Sequence, residues 1–199
     1  MNKDPEIIKE IIEDMEESVD FFSNKKKKER ELWVVKEFLK IISINFDEKD
    51  FKIDCYEPID IGFRNANFQV KELLDKDRKR HREFKDDLKK AKNATHLSEL
   101  TELYNAKNKI TLQEIIDCTI TLLNNYHIDP KESKRTDLLV YENLTHYGIS
   151  DYNYTLTKKF TIWRSFSMVG NGGLCCVFFA ENDAPDFIKS NLCKIIKHD

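Results

Sequence analysis

Two short segments, Ile59-Asp60-Ile61-Gly62-Phe63-Arg64 and Phe68-Gln69-Val70-Lys71-Glu72-Leu73, alternate apolar and polar residues with a period of two. That period marks strands buried on one face. The four residues between them, Arg64-Asn65-Ala66-Asn67, suit a tight turn, because asparagine tolerates left-handed backbone angles. The pair therefore predicts a β-hairpin. Alternation puts Ile61, Phe63, Phe68 and Val70 on one face and Asp60, Gln69 and Lys71 on the other.

The remaining chain predicts helices and further strands that would cover such a hairpin. Residues 5–22 place Ile7, Ile8, Ile11, Ile12, Met15, Val19 and Phe22 at helical spacing, with Pro5 in the first turn. A second helix is predicted from about Lys26 to Ile42, with Val34, Val35, Phe38, Leu39 and Ile42 as its apolar stripe. The lysines 25–28 at its start oppose the helix dipole and read either as a solvated run or as phosphate contacts. After an irregular acidic stretch and the hairpin comes a basic helix, about Lys76 to Asn93, with a net charge of +5 over residues 76–92. A linker spans about 94–109. Thr111 and Glu114 then match a capping box for a helix from Leu112 to about Tyr126. Residues 137–141 and 173–179 are continuous apolar runs, expected of central strands covered on both faces. Residues 162–166 alternate more loosely, and a last helix is predicted from about Ala184 to Ile196.

The 199 residues are one domain's worth of chain, and only five glycines and four prolines argue against a sandwich of many short strands. The expectation is a single α/β domain over 1–199, with 1–24 as an N-terminal helical extension. A net charge of −3 gives no global basic bias, so nucleic-acid binding would have to rest on a local patch. The five cysteines have no C-x-x-C spacing and read as reduced, mostly buried thiols. Adjacent Cys175 and Cys176 would point to opposite faces of a strand. No run approaches the ~20 apolar residues of a membrane span. The acidic N-terminus does not suit a secretory signal, and the expected location is the cytoplasm.

An acid, an amide oxygen and an ammonium on one hairpin face is a combination suited to metal-assisted phosphodiester hydrolysis. A carboxylate, a second oxygen ligand and a backbone carbonyl hold a hard divalent cation. The cation polarises the phosphoryl oxygen and acidifies a bound water. The lysine orients that water or stabilises the charge of the transition state. The bland reading of Asp60 and Lys71 is a salt bridge across a hairpin. Glu72 alternates to the other face and reads as structural, and His81 among arginines as a helix-surface residue. The other histidines, His96, His127, His146 and His198, share no ligand spacing.

Asp60 followed after eight residues by Gln69-Val70-Lys71 resembles the D-x(n)-(D/E/Q)-x-K hairpin of the PD-(D/E)xK nucleases. The surrounding segments run in the same order as in one bacterial family of unknown function placed in that superfamily. They are Glu29-Arg-Glu-Leu-Trp-Val34, Glu57-Pro-Ile-Asp60, Phe63-Arg-Asn-Ala66, Phe68-Gln-Val-Lys-Glu72, Leu74-Asp75, Arg78-Lys-Arg-His81, Leu138-Leu-Val-Tyr141, Asn143-Leu144 and Trp163-Arg-Ser165. The resemblance covers roughly residues 20–190. It implies a restriction-endonuclease-like mixed sheet flanked by helices, with an extra N-terminal helix. It also implies a metal-dependent nuclease acting on nucleic acid, with DNA as the expected substrate class and Mg²⁺ or Mn²⁺ held by Asp60, Gln69 and the Val70 carbonyl. Lys71 would be catalytic. A glutamate on the first core helix often reaches the metal in that superfamily, and Glu31 matches best, then Glu29 and Glu57. The departure is Gln69, which stands where an acid is usual; a neutral amide binds Mg²⁺ less well. Arg64, Arg78, Lys79, Arg80 and Arg82 are the expected nucleic-acid contacts. Two other readings stand beside this one: an inactive nucleic-acid binder on the same fold, and a protein-interaction module, such as a homodimer through the first helix.

Overall fold

The computed structural model describes residues 4–53, 55–100, 109–126, 129–146, 148–157, 160–170 and 173–197. They divide into two compact units, Met1–Arg30 with Lys76–Lys107, and Glu31–Asp75 with Asn108–Asp199.

The first unit is built on α1 (Asp4–Phe21). The apolar stripe of α1, Ile8, Ile11, Ile12 and Met15, packs on Leu88, Ala91, Ala94, Leu97 and Leu100. The helix expected as an extension is therefore one wall of a small core. The partner helix α3 (Arg80–Asn93) starts four residues later than the basic run suggests, because Asp77 takes a left-handed angle, φ 66°. Lys92 pairs with Glu16 at 2.5 Å across the two helices.

The second unit holds a seven-stranded sheet among the described residues. Its strands are β1 (Phe51–Lys52), β2 (Ile61–Phe63), β3 (Ala66–Leu74), β5 (Asp137–Asn143), β7 (Ser165–Gly170), β8 (Leu174–Ala180) and β9 (Ile195–Lys197). They lie side by side in the order β1-β2-β3-β5-β7-β8-β9. β1, β2 and β3 pair antiparallel; β3, β5 and β7 run parallel; β7, β8 and β9 are antiparallel again. A separate two-stranded sheet pairs β4 (Ile110–Thr111) with β6 (Ile149–Asp151). This is a mixed α/β fold.

Each face of the sheet has its own core. On one, Val34, Val35, Phe38 and Leu39 of α2 (Lys27–Ile41) pack on Ile61, Phe63, Phe68, Val70, Leu139 and Val169. On the other, Leu112, Ile115 and Ile116 of α4 (Leu112–Leu123) pack on Leu73, Leu138, Val140, Phe166 and Met168. The faces alternate as expected: Cys175 belongs to the first core and Cys176 to the second. Burial pushes both thiols up, that of Cys176 to about 12. Cys118 and Cys193 are exposed, so the expectation of mostly buried cysteines fails at those two. Between α4 and β5 lies the short helix α5 (Pro130–Ser133).

Four local expectations are corrected. The hairpin turn is tighter than four residues, with Phe63 paired directly to Ala66. Arg64 carries its left-handed angle, φ 52°. Of the loose segment 162–166, Ile162 ends a 3-10 turn, Phe160–Ile162, and Ser165 and Phe166 open a strand that runs on to Gly170. The last helix is only α6 (Asp186–Lys189), followed by edge strand β9. The acidic stretch before the hairpin contains β1, too short to show a period. Of the linker, residues 94–100 carry one 3-10 turn; residues 101–108, like His127 and His198, lie outside the described residues.

Candidate functional site

The site is set by the pairing of β2 with β3. Just before β2, the Asp60 N–H donates to the Phe68 carbonyl (2.9 Å), which continues the ladder one residue beyond the strand. The Val70 N–H donates to Asp60 Oδ2 (2.8 Å). The acid is thus held against the Gln69-Val70-Lys71 backbone. In a strand the N–H and C=O of one residue point to the same edge, so the Val70 carbonyl opens toward Asp60.

Register fixes the neighbours. Gln69 lies opposite Leu138 and Lys71 opposite Val140, on the face covered by α4. Gln69 is 3% exposed, and its Oε1 is buried with no hydrogen-bond partner among the described residues. An unmade bond of that kind costs about 1–3 kcal/mol. The Lys71 ammonium lies 4.6 Å from the centre of the Tyr126 ring. Tyr126 follows the C-terminus of α4, so the cation also complements that helix end.

The other predicted residues fall elsewhere. Glu31 is among the buried residues of α2, a helix whose Val34, Val35, Phe38 and Leu39 pack on the sheet face opposite Gln69 and Lys71. Glu29 is bonded to Lys26 (2.8 Å) at the start of α2. Glu57 lies in the loop before Asp60, in a cis peptide with Pro58. Arg64 is in the turn rather than on the strand face of Asp60, and donates to the Asn45 carbonyl (2.9 Å) and to Asp50 (3.2 Å).

In the first unit, Arg80 is buried, with its guanidinium 3.9 Å from the Phe22 ring centre. Phe22 also stacks on Phe84 at 5.0 Å. Arg78 bonds Glu83 (2.6 Å). Of the four basic residues of this unit expected to contact nucleic acid, two therefore help build it. Lys79 and Arg82 are exposed, as are Lys85, Lys89, Lys90 and Lys92 of the same helix.

Two polar clusters escaped the sequence reading. Asp137, fully buried at the start of β5, accepts from the Asn67 N–H (2.9 Å), Ser165 Oγ (2.8 Å) and Arg164 Nε (3.1 Å). Arg164 Nη2 donates to Asp137 as well and to the Asn65 carbonyl (3.1 Å). This network ties the hairpin turn to β5 and β7. At the other end of β5, Glu142 is 1% exposed. Its Oε1 accepts from the Leu144 N–H (2.7 Å) and lies 3.1 Å from His146 Nε2. Burial pushes the Glu142 carboxyl above the usual carboxylate range; Leu144 and His146 pull it back, and Asp75 adds to the rise. The Thr145 N–H donates to Asp75 (2.9 Å). Both clusters sit at the polar ends of an apolar strand run, and nothing in the local sequence says what lies opposite them.

Among the described residues, no group of three His, Cys, Asp or Glu side chains is arranged to hold a metal ion. No helix of the described residues is long and apolar enough to cross a membrane.

No curated protein matches the sequence. Among solved structures, the fold is similar to that of a protein of unknown function from Pseudomonas aeruginosa strain PAO1, described as a member of a monooxygenase superfamily. The two share 24% identity with a TM-score of 0.64, over 100% of this chain and 97% of the other; the likeness is one of fold. Residues 3–199 match one family along nearly their whole length, and the chain belongs to that family, described as "Putative endonuclease, protein of unknown function (DUF1780)".

Proposed function

We propose that the chain is a metal-dependent nuclease that hydrolyses phosphodiester bonds in DNA, on a restriction-endonuclease-like PD-(D/E)xK core. The observation that carries the reading is the hydrogen bond from the Val70 N–H to Asp60, which holds the acid against Gln69-Val70-Lys71. The family description supports the same class of chemistry.

The buried Gln69 Oε1, which has no hydrogen-bond partner among the described residues, is what fits a divalent cation here. Asp60, the Gln69 amide oxygen and the Val70 carbonyl would hold Mg²⁺ or Mn²⁺. Three protein oxygens suffice for an ion that keeps several waters, although a single carboxylate makes the site weak. When bound, the ion supplies Lewis-acid polarisation of the phosphoryl group and a water of lowered pKa. Lys71 places a positive charge beside the reacting phosphate and holds the attacking water by hydrogen bonding. The Tyr126 ring steadies that ammonium. The exposed face of α3, with Lys79 and Arg82, supplies phosphate contacts of the sequence-independent kind.

Cleavage of supercoiled plasmid, single-stranded DNA and RNA in Mn²⁺ tests this. Asp60→Ala should abolish cutting, and Lys71→Ala should slow it by roughly 10²-fold. Unchanged cutting by both variants overturns the assignment. The neutral Gln69 favours a second reading, a non-catalytic nucleic-acid binder. It predicts salt-dependent binding with no metal-dependent cleavage.

A further inference from the structure

A pocket of about 140 Å³ opens between α2 and the C-terminal ends of the parallel strands β5 and β7. Three residues of α2 line it, Trp33, Glu37 and Ile41, spaced four apart on one stripe of the helix. Tyr141 and Val169 form the opposite wall, and Gly170 and Gly173 present bare backbone. The outer ends of parallel strands are where open α/β sheets bind ligands.

The lining restricts what could enter. Trp33 is 36% exposed although it stands in a helix whose stripe is otherwise buried. Its ring meets the Tyr141 ring edge-on at 5.4 Å, so Tyr141 holds the indole at the pocket wall, where part of it is exposed. Among the described residues, the charged group in the lining is Glu37, whose side chain is 30% exposed and whose Oε1 is paired with Lys40 (2.6 Å). An exposed pair of this kind is worth little and yields readily to a better partner. With Lys40 outside the lining, the acid disfavours a phosphate within the pocket itself and leaves any phosphate of a bound nucleotide outside it. It accepts N–H groups. The volume is well below the roughly 300–1,000 Å³ of sites for drug-sized ligands, so one ring system is the right scale.

We propose that this pocket takes a single unpaired nucleobase, stacked on Trp33 and hydrogen-bonded through its N–H edge to Glu37. This deepens the nucleic-acid reading above and rests on it: Trp33 would hold one base of a single-stranded or locally opened substrate, and the phosphate chemistry would belong to Asp60 and Lys71. Guanine, with two adjacent donors on its Watson–Crick edge, matches one carboxylate best. Cytosine and adenine offer an amino group, and uracil a lone N–H between two repelling carbonyls.

The test needs neither metal nor cleavage. Trp33 and Trp163 are the two tryptophans, and Trp163 is buried at 2% exposure, so quenching of indole emission reports on Trp33. Titration with nucleoside 5′-monophosphates should give saturable quenching, with GMP tighter than CMP and AMP, and UMP weakest. Glu37→Gln should flatten that order while stacking persists. Trp33→Phe, which keeps Trp163 as the only reporter, should show no quenching. Calorimetry on Trp33→Leu should show binding weaker by about tenfold or more. Absence of saturable quenching with all four nucleotides overturns the proposal. So does equal quenching by butylamine, or quenching that survives in Trp33→Phe. Asp60→Ala should retain nucleotide binding, so a failed base pocket and a failed nuclease site give different results.

Discussion

Burial converts Arg164 and Asp137 from surface-type residues into a structural tie. Their side chains are 12% and 1% exposed, and the bonds they share with Asn65, Asn67 and Ser165 join three strands. Removing one member leaves the other charged, buried and unpaired, which costs about 3–5 kcal/mol. Arg164→Ala should lower unfolding free energy by that order in urea titrations. Arg164→Lys should recover only part of it, because an ammonium cannot reproduce the forked contact. A drop of less than about 1 kcal/mol for Arg164→Ala, the scale of an exposed ion pair, would mean that the tie is not structural. Glu142 carries a pH signature of opposite kind. Its carboxyl titrates higher in the fold than in the unfolded chain, mainly through burial. Below the ordinary carboxylate range it is protonated in both states and costs nothing. As pH rises through that range toward the folded value, the fold loses stability. Glu142→Gln removes this effect, so the variant should gain on wild type as pH rises above the ordinary carboxylate range, read by urea unfolding at each pH. A constant difference would contradict the assignment. Neither residue's role was legible in the sequence, where Asp137 and Glu142 are merely the polar ends of Asp-Leu-Leu-Val-Tyr-Glu.

At the scale of elements, legibility followed periodicity. The helices α1 and α2 announced themselves through stripes at 3.6-residue spacing, and α4 through a capping box that forms as expected: Thr111 accepts from the Glu114 N–H and Glu114 from the Thr111 N–H. The hairpin was legible from alternation, but the structure buries it on both faces: Gly62 and Gln69 are buried along with their apolar neighbours. Strands β1, β4, β6 and β9 are two or three residues long, below the length at which alternation says anything. The apolar residues Ile195 and Ile196 extended the final helix in the sequence, whereas the structure pairs them with Cys176 and Cys175 at the sheet edge. The basic run 76–92 was legible as charge but not as geometry. Arg80 turns inward onto Phe22, and Arg78 is held by Glu83. Neutralising them would disturb the helix pair, so the phosphate-contact hypothesis belongs to the exposed set. Replacing Lys79, Arg82, Lys85 and Lys89 together with glutamine should weaken DNA binding and reduce the slope of log K against log salt by about 0.7–0.9 for each phosphate no longer neutralised. An unchanged slope would remove α3 as the contact surface.

For the whole molecule, the net charge of −3 leaves local groups to recognise nucleic acid. The phosphate chemistry proposed here is assigned to the Asp60, Gln69 and Lys71 hairpin. That Gln69 and Lys71 share a face was legible from alternation alone. What stayed hidden is the side of the sheet that α2 meets, because helix periodicity says which of its residues are buried but not which face they cover. The central claim is that Asp60, Gln69 and the Val70 carbonyl bind a divalent cation, and calorimetric titration with Mn²⁺ tests it most directly. Wild type should bind weakly, Asp60→Ala should not bind, and Gln69→Glu should bind more tightly because it adds the missing carboxylate. No binding by either wild type or Gln69→Glu, with nucleic acid present as well as absent, would contradict the nuclease assignment.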